Sequence, residues 1–381
     1  MSDRYVPGTH RTRSPADTWA AIAPRLSTYG ITRVADVTGL DVLGIPVTMV
    51  TRPLSATLAA SQGKGLTLDL ARISGVMESI ELWHAEDVSP SLRDVPARDL
   101  ALPYDCLDLI RHPGSFLTPE LPLDWVPARV MGTSEETVVP LLTTVLNHAA
   151  RQTGSLAMFQ TSSSGLASGN TVDEALLHGL YEVLERDSVA RMPTVSSGRR
   201  QLLDISTVDD PVCAGLIERL DRHRIWSQIT AVPNALGIPC FAVYLWSEDI
   251  PALCTGSGLH SVPSVALTSA LLEAVQCRLT FISGVRDDLG EGAFVMHGRS
   301  WDTPADYGER VTWKESGQSP GEVFASPGDE LAWIGKRLRG KMDRIACFVE
   351  LEANPVFSVV KVICPGLRDM HHETPLPRLR G

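Results

Sequence analysis

Apolar and polar positions recur with two different periods along this chain, and the switches between them predict its elements. Residues 17–29 carry a helical spacing, with Ser14 placed to cap, Pro15 in the first turn and Gly30 at the exit. Pro24 lies inside that span and predicts a kink or split, because proline has no amide donor and crowds the preceding turn. Extended runs follow at 31–37 and 45–51, then a Ser/Gly loop at 61–65 and a long helix over 67–86. Seven prolines between residues 87 and 128 predict a meandering covering segment in place of long regular elements. A second small-residue loop at 161–170 leads into a second helix over 172–191. The stretch 199–246 reads strand, helix (211–224), strand (225–232) and strand (240–246). A third long helix covers 265–283, another lies near 329–338, and β-rich runs occupy 345–351 and 357–364. This alternation predicts an α/β or α+β class with mixed sheets, and no flexible linker divides it.

Composition narrows the classes. The 381 residues suffice for about two or three domain-sized units or one large domain. Apolar residues make up 44% and charged residues 21%, which excludes a disordered chain. Acidic residues exceed basic ones by 45 − 34 = 11, giving a net charge of −11, the wrong sign for counterion release on nucleic acid. The seven cysteines form no C-x-x-C pair and read as small core residues. Residues 1–13 are polar, without the apolar run of a secretory signal, and 356–364 is too short to span a bilayer and contains Lys361. The expectation is a cytoplasmic protein with neither a nucleic-acid nor a membrane partner.

Residues 67–81 and 171–185 align without a gap at an offset of 104, matching Thr67/Thr171, Asp69/Asp173, Ala71/Ala175, Gly75/Gly179, Glu78/Glu182 and Glu81/Glu185. Both segments follow a Gly/Ser loop, and both open on a capping threonine with an acid in the first turn. Residues 262–276 fit the same frame more weakly, with Ala266, Ser269, Glu273 and Gln276 on Ala71, Ser74, Glu78 and Glu81. The pattern is one loop–helix device used two or three times around one site.

Helical spacing puts Ser74, Glu78 and Glu81 on one face, and Glu174, His178, Glu182 and Glu185 on another. If the two helices face each other, four carboxylates converge, and they need cations or protonation to persist. Mg²⁺ carrying substrate phosphates suits carboxylates beside Gly/Ser loops, which offer backbone amides to phosphate although no Walker A sequence is present. Lys64, Arg186, Arg278 and Arg286 are candidate phosphate ligands. Glu81-Leu82-Trp83-His84 also matches a helical di-iron spacing, but no second E-x-x-H accompanies it. His371-His372 reads as exposed tail.

Together these segments resemble the YcaO family. The matching pieces run from Arg33 to Asp41 with Gly44-Ile45-Pro46, then Ser61-Gln62-Gly63-Lys64-Gly65, Ser74-x-x-x-Glu78-x-x-Glu81, and Glu174 through His178, Glu182 and Glu185 to Arg186-Asp187. Glu273 to Arg278 and Asp287-Asp288 also match. The resemblance covers about residues 30 to 365, flanked by an N-terminal extension and helix (1–30) and a tail (366–381). It implies an α+β fold that binds ATP and Mg²⁺ and activates a peptide-bond oxygen. By motif, Glu78, Glu81, Glu182 and Glu185 would hold Mg²⁺, while Lys64, Ser74, Asn170, Glu174, His178 and Arg278 would bind the nucleotide. Arg186 and Arg286 would act on developing phosphate charge. His178 departs from the family, where many relatives carry a glutamine or another amide.

In the implied reaction a nucleophile adds to a backbone carbonyl of a precursor peptide, and the resulting hemiorthoamide oxygen takes the γ-phosphate. A Cys, Ser or Thr side chain of the substrate yields an azoline, sulfide a thioamide and an amine an amidine. The tail holds a single P-x-P, Pro375-Leu376-Pro377, whereas azoline-forming relatives often end in P-x-P-x-P. Residues 77–84, ending in Trp83-His84, look like YcaO proteins that work with a TfuA-type partner. Both features favour thioamidation over a cyclodehydratase or a macroamidine cyclase. A separate leader-peptide-binding partner and a homodimer are compatible with the chain. The reading of another class is a catalytically silent peptide-binding scaffold.

Overall fold

The computed structural model describes residues 11–147, 158–192, 199–250, 252–284, 308–316 and 324–369. Ser14 caps helix α1 (Pro15–Ile22) by accepting Asp17 N at 3.1 Å. At Pro24 the chain tightens into a 3₁₀ turn (Ala23–Tyr29), which ends on Gly30 in the left-handed region, φ 69°. Strands β1 (Arg33–Asp36), β2 (Val47–Thr51) and β3 (Ala60–Lys64) form an antiparallel sheet in that order.

Helix α2 (Leu68–Glu86) follows, capped by Thr67. Next come β4 (Leu92–Pro96), β5 (Pro122–Val130), β6 (Glu136–Pro140), β7 (Leu166–Gly169) and helix α3 (Val172–Arg191), capped by Thr171. Strand β8 (Gln201–Leu203), helix α4 (Pro211–Arg222), strands β9 (Trp226–Ala231), β10 (Cys240–Trp246) and β11 (Cys254–Leu259), and helix α5 (Pro263–Ser283) form the next stretch. The described chain closes with β12 (Glu309–Val311), α6 (Trp313–Ser316), α7 (Pro327–Met342), β13 (Cys347–Ala353) and β14 (Ser358–Ile363). The second sheet runs β4-β5-β13-β14-β7 with β6 beside β5, and the third runs β11-β10-β9-β8-β12. Only β8 with β12 is parallel among the described pairs, so the class is α+β with mixed sheets.

Two expectations are corrected. The small-residue segments at 61–65 and 161–170 are not loops throughout, since they contain strands β3 and β7. Their glycines serve the approach of a helix. A Cβ on Gly63 would stand 2.0 Å from Ala71 O and 2.1 Å from Gly75 N on α2. The same device recurs at Gly256, where a Cβ would stand 2.2 Å from Ala270 O on α5. The proline-dense stretch does meander from 97 to 121, but β5 is a nine-residue strand that Pro122 opens and that carries Pro127 opposite Val138 without a break. Trp125 on β5 is fully buried and donates its Nε1 to Val95 O at 2.8 Å.

Strands β3, β7 and β11 are each the terminal strand of a different sheet. Helix α2 packs on β3 and β7, α3 on β7 and β11, and α5 on β11 and β3. Each helix thus bridges its own strand to the next, and the arrangement closes as a ring of three strand–helix units, covering three sheet edges that would otherwise be open. Helix α5 alone, among the described residues, is long and apolar enough to cross a membrane, and 67% of its most apolar stretch is buried inside the protein.

Candidate functional site

Polar contacts follow the same ring. Ser168 on β7 donates to Glu81 of α2 at 2.5 Å, and Ser257 on β11 donates to Glu185 of α3 at 2.6 Å. Gln276 of α5 donates to the Gln62 carbonyl on β3 at 2.8 Å. Glu182 accepts Gly165 N at 3.2 Å, and Glu273 accepts Ser257 N at 2.8 Å. Each helix therefore has a carboxylate or amide anchored on a strand, with its side chain reaching the centre.

The carboxylates crowd one another. Desolvation raises the Glu81 pKa to about 8 against the Ser168 hydrogen bond, with Glu78 and Glu182 adding repulsion. Desolvation together with Glu273 raises Glu185 to about 7. Glu182 is raised by desolvation, which outweighs the attraction of Arg186 and Lys361. Glu273 ends up lowered, since Lys64, Arg186 and the Ser257 hydrogen bonds overcome its burial. Arg186 lies 3.5 Å from Glu182 and 3.8 Å from Glu273. Burial works against its charge, but Glu182, Glu273 and Glu185 outweigh that and keep it protonated. The His178 side chain is exposed to solvent and lies near Arg11 and Lys64. Desolvation, Arg11 and Lys64 lower its pKa, so the ring is neutral at pH 7.

Sequence reasoning placed Glu78, Glu81, Glu182, Glu185, Arg186, His178 and Lys64 in one site, and the structure brings these together. Ser74 lies half-buried one turn before Glu78. Among the described residues no group of three or more candidate ligands stands close enough to hold one metal by itself. The carboxylates form a chain of neighbours. That arrangement fits Mg²⁺, which takes one or two carboxylates and completes its shell with water and phosphate oxygens.

Arg278 is also corrected. It is 2% exposed, and its guanidinium is taken up by Asp41 at 3.0 Å, Asp249 at 2.7 Å and Ser247. At five residues past Glu273 it projects from another side of α5. Glu174 and Asn170 are turned to each other: Glu174 accepts Asn170 N at 2.8 Å and Asn170 Nδ2 at 3.0 Å, and also Thr12 N. The Asn170 side-chain oxygen accepts Thr18 Oγ1 at 2.8 Å. These two residues brace the N-terminal segment across the end of β7. There Arg11 reaches Ser168 O at 3.4 Å and Glu174 at 3.8 Å. His84, the other half of the di-iron spacing, is enclosed by Tyr29, Trp83 and Phe357 and stands in that aromatic group. Arg286, Asp287-Asp288, His371-His372 and the P-x-P tail lie outside the described residues.

Several residues beside these carboxylates were not among the site candidates. Glu273 was visible in the repeat frame, at the position of Glu78. Lys361 was signalled by a charge inside an apolar β run. It is 3% exposed on β14 and donates to Ser162 O at 2.6 Å and Ser164 O at 2.8 Å. Desolvation lowers its pKa to about 8 against the pull of Glu182 and Asp369. Ser168, Ser257 and Arg11 carried no signal, because their roles depend on which helix arrives beside them.

Comparison with known proteins places the chain among relatives of the same fold. The chain is 42% identical over 296 residues to an uncharacterised protein of Mycobacterium tuberculosis, covering 77% of this chain and 66% of that protein's length. It is 33% identical over 303 residues to an uncharacterised protein in the tfuA 3' region of Rhizobium leguminosarum bv. trifolii, covering 76% and 71%. The structure of YcaO from Methanopyrus kandleri bound with AMPPCP and Mg²⁺ superposes with a TM-score of 0.73 at 21% identity, covering 96% of this chain and 94% of that one. The family described as "YcaO cyclodehydratase, ATP-ad Mg2+-binding" matches residues 62–368, most of the chain and all three strand–helix units, so this protein belongs to the YcaO family.

Proposed function

We propose that this protein uses Mg²⁺-ATP to activate a backbone amide of a ribosomally made precursor peptide, and that its product is a thioamide. The observation that carries the reading is the closed ring of carboxylate-bearing helices with Arg186 among the carboxylates. Glu78, Glu81, Glu182, Glu185 and Glu273 would hold Mg²⁺ by one or two carboxylates per ion, and the bound ion supplies neutralisation of charge on the transferred phosphoryl group.

The chain's own groups do the positioning. Arg186 remains cationic among the carboxylates and would bind phosphate oxygens of the nucleotide. Lys64 adds a point charge next to Glu273 and His178. Neutral His178 offers a hydrogen bond without adding charge. Ser168 and Ser257 fix the rotamers of Glu81 and Glu185, and Lys361 ties down the backbone of 162–164.

The choice of product rests on the relative from the tfuA 3' region and on Trp83, 40% exposed on α2 where a partner can reach it. A TfuA-type protein is the proposed partner. Sulfide adds to the amide carbon, the carbonyl oxygen leaves with the γ-phosphate, and the products are thioamide, ADP and phosphate. The mass of a precursor peptide incubated with ATP, Mg²⁺, sulfide and a TfuA-type protein tests this. An O-to-S gain is expected. Loss of one water without sulfide would show ring closure instead. Tight peptide binding without phosphate release would show a scaffold.

A further inference from the structure

Residues 107–113, Ser115 and 366–368 line an open cavity of about 420 Å³. Its walls combine apolar Leu107, Ile110 and Pro113 with cationic Arg111 and Arg368 and with His112. Arg111, His112 and Arg368 are exposed at its mouth. The carboxylate on the lining, Asp108, is bound to Arg344 at 2.5 Å. Neither arginine side chain is paired with a carboxylate among the described residues. His112 accepts Gly114 N at Nδ1, 3.1 Å, so its Nε2 carries the donor. In a chain of net charge −11, this is a local set of donors whose side chains have no carboxylate partner among the described residues.

Both walls connect to the candidate site through the backbone. Gln160 N donates to Ile110 O at 3.0 Å and His112 N to Met158 O at 3.2 Å, next to the 162–164 backbone that Lys361 holds. On the other wall Arg368 N donates to Asp187 at 2.8 Å, one residue beyond Arg186. Asp369 accepts Ser164 Oγ at 2.9 Å.

We propose that this cavity binds an acidic segment of the peptide substrate. A carboxylate would lie between Arg111 and Arg368, with the flanking backbone on the mainly polar remainder of the lining. The amide to be modified would then be presented to the Arg186 side of the ring. The inference rests on the peptide-modifying reading above. The cavity's size and its cationic lining favour a peptide segment over a free inorganic anion, which would fill only a small part of about 420 Å³.

The test uses two fluorescein-labelled peptides, one with Leu-Glu-Leu-Glu-Leu between Gly/Ser flanks and one with both Glu replaced by Gln. Anisotropy is read on the full-length protein and on Arg111→Ala/Arg368→Ala and Arg111→Lys/Arg368→Lys, with melting temperature and Mg²⁺-ATP affinity measured in parallel. The Glu peptide should bind at least about tenfold tighter than the Gln peptide, and the alanine pair should lose that preference while keeping its melting temperature and ATP affinity. The lysine pair should retain part of it, which keeps the result readable if the alanine pair fails to fold. Equal binding of the two peptides, an undiminished preference in the alanine pair, or displacement of the Glu peptide by inorganic phosphate alone would overturn the proposal. A wild-type protein that binds the Glu peptide but not ATP would instead sink the functional reading and leave the peptide site standing.

Discussion

Glu81 and Glu185 set the pH behaviour of the ring. Their folded pKa values, about 8 and about 7, stand above the ordinary 4.5. The folded state therefore keeps protons that the unfolded chain releases. The stability they contribute is fully present below about 4.5 and is lost as pH rises through 7 to 8. The protein should melt at lower temperature at pH 8 than at pH 6, and Mg²⁺-ATP should recover more at the higher pH, because cations replace those protons. A pH series of melting curves checks this, and Glu81→Gln should flatten the slope; an unchanged slope would remove Glu81 as its source. Glu78→Gln and Glu182→Gln should keep the fold, since each removes a charge from a crowded set, and weaken ATP binding at least about tenfold when Mg²⁺ is present. Calorimetric titration with Mg²⁺ and with a chelator separates the ion-dependent part. Equal affinity in wild type and both variants would take these residues out of the site.

The elements that bring these residues together are strands of small residues. Gly63 and Gly256 let α2 and α5 approach so closely that a methyl group would meet backbone atoms, which cannot rotate away as a side chain would. Gly63→Ala and Gly256→Ala should each cost about 3 kcal/mol or more in urea unfolding. Gly39, with nothing within 4 Å of a built Cβ, is the control and should change little when replaced by alanine. Unfolding midpoints within error of wild type for both strand variants would show that the approach is not needed. The repeat, its threonine caps and its acidic spacing were legible along the chain. The strands were not, because Ser and Gly favour loops locally, and the reason for them lies in a helix that packs from across the fold.

At the scale of the molecule, three sheets meet through their edge strands, and Arg278 ties the result together. It joins Asp41, just beyond the first sheet's β1, to Ser247 and Asp249, between β10 and β11 of the third. Arg278→Met would strand the buried Asp41 carboxylate and should cost about 3–5 kcal/mol, with ATP affinity of the folded protein unchanged. Denaturant unfolding and nucleotide titration on the same preparation decide the matter. Lost nucleotide binding at full stability would return Arg278 to the site.

The amino-acid sequence by itself determined the long helices, their caps, the split at Pro24 and the face on which each glutamate stands, because helical period and capping chemistry act within a few residues. It also carried the duplicated Glu-x-x-Glu device that reveals the family. Only the tertiary structure decided which faces meet. It turned Ser/Gly segments into edge strands, recruited Ser168, Ser257 and Lys361, and assigned Arg278 to a buried ion pair away from the cluster. Those outcomes depend on partners 72 to 237 residues away or on the side of a helix that a neighbour covers. The pattern along one segment specifies its own turn of helix or strand, but the surroundings of a charged side chain are set by whatever else the fold packs beside it.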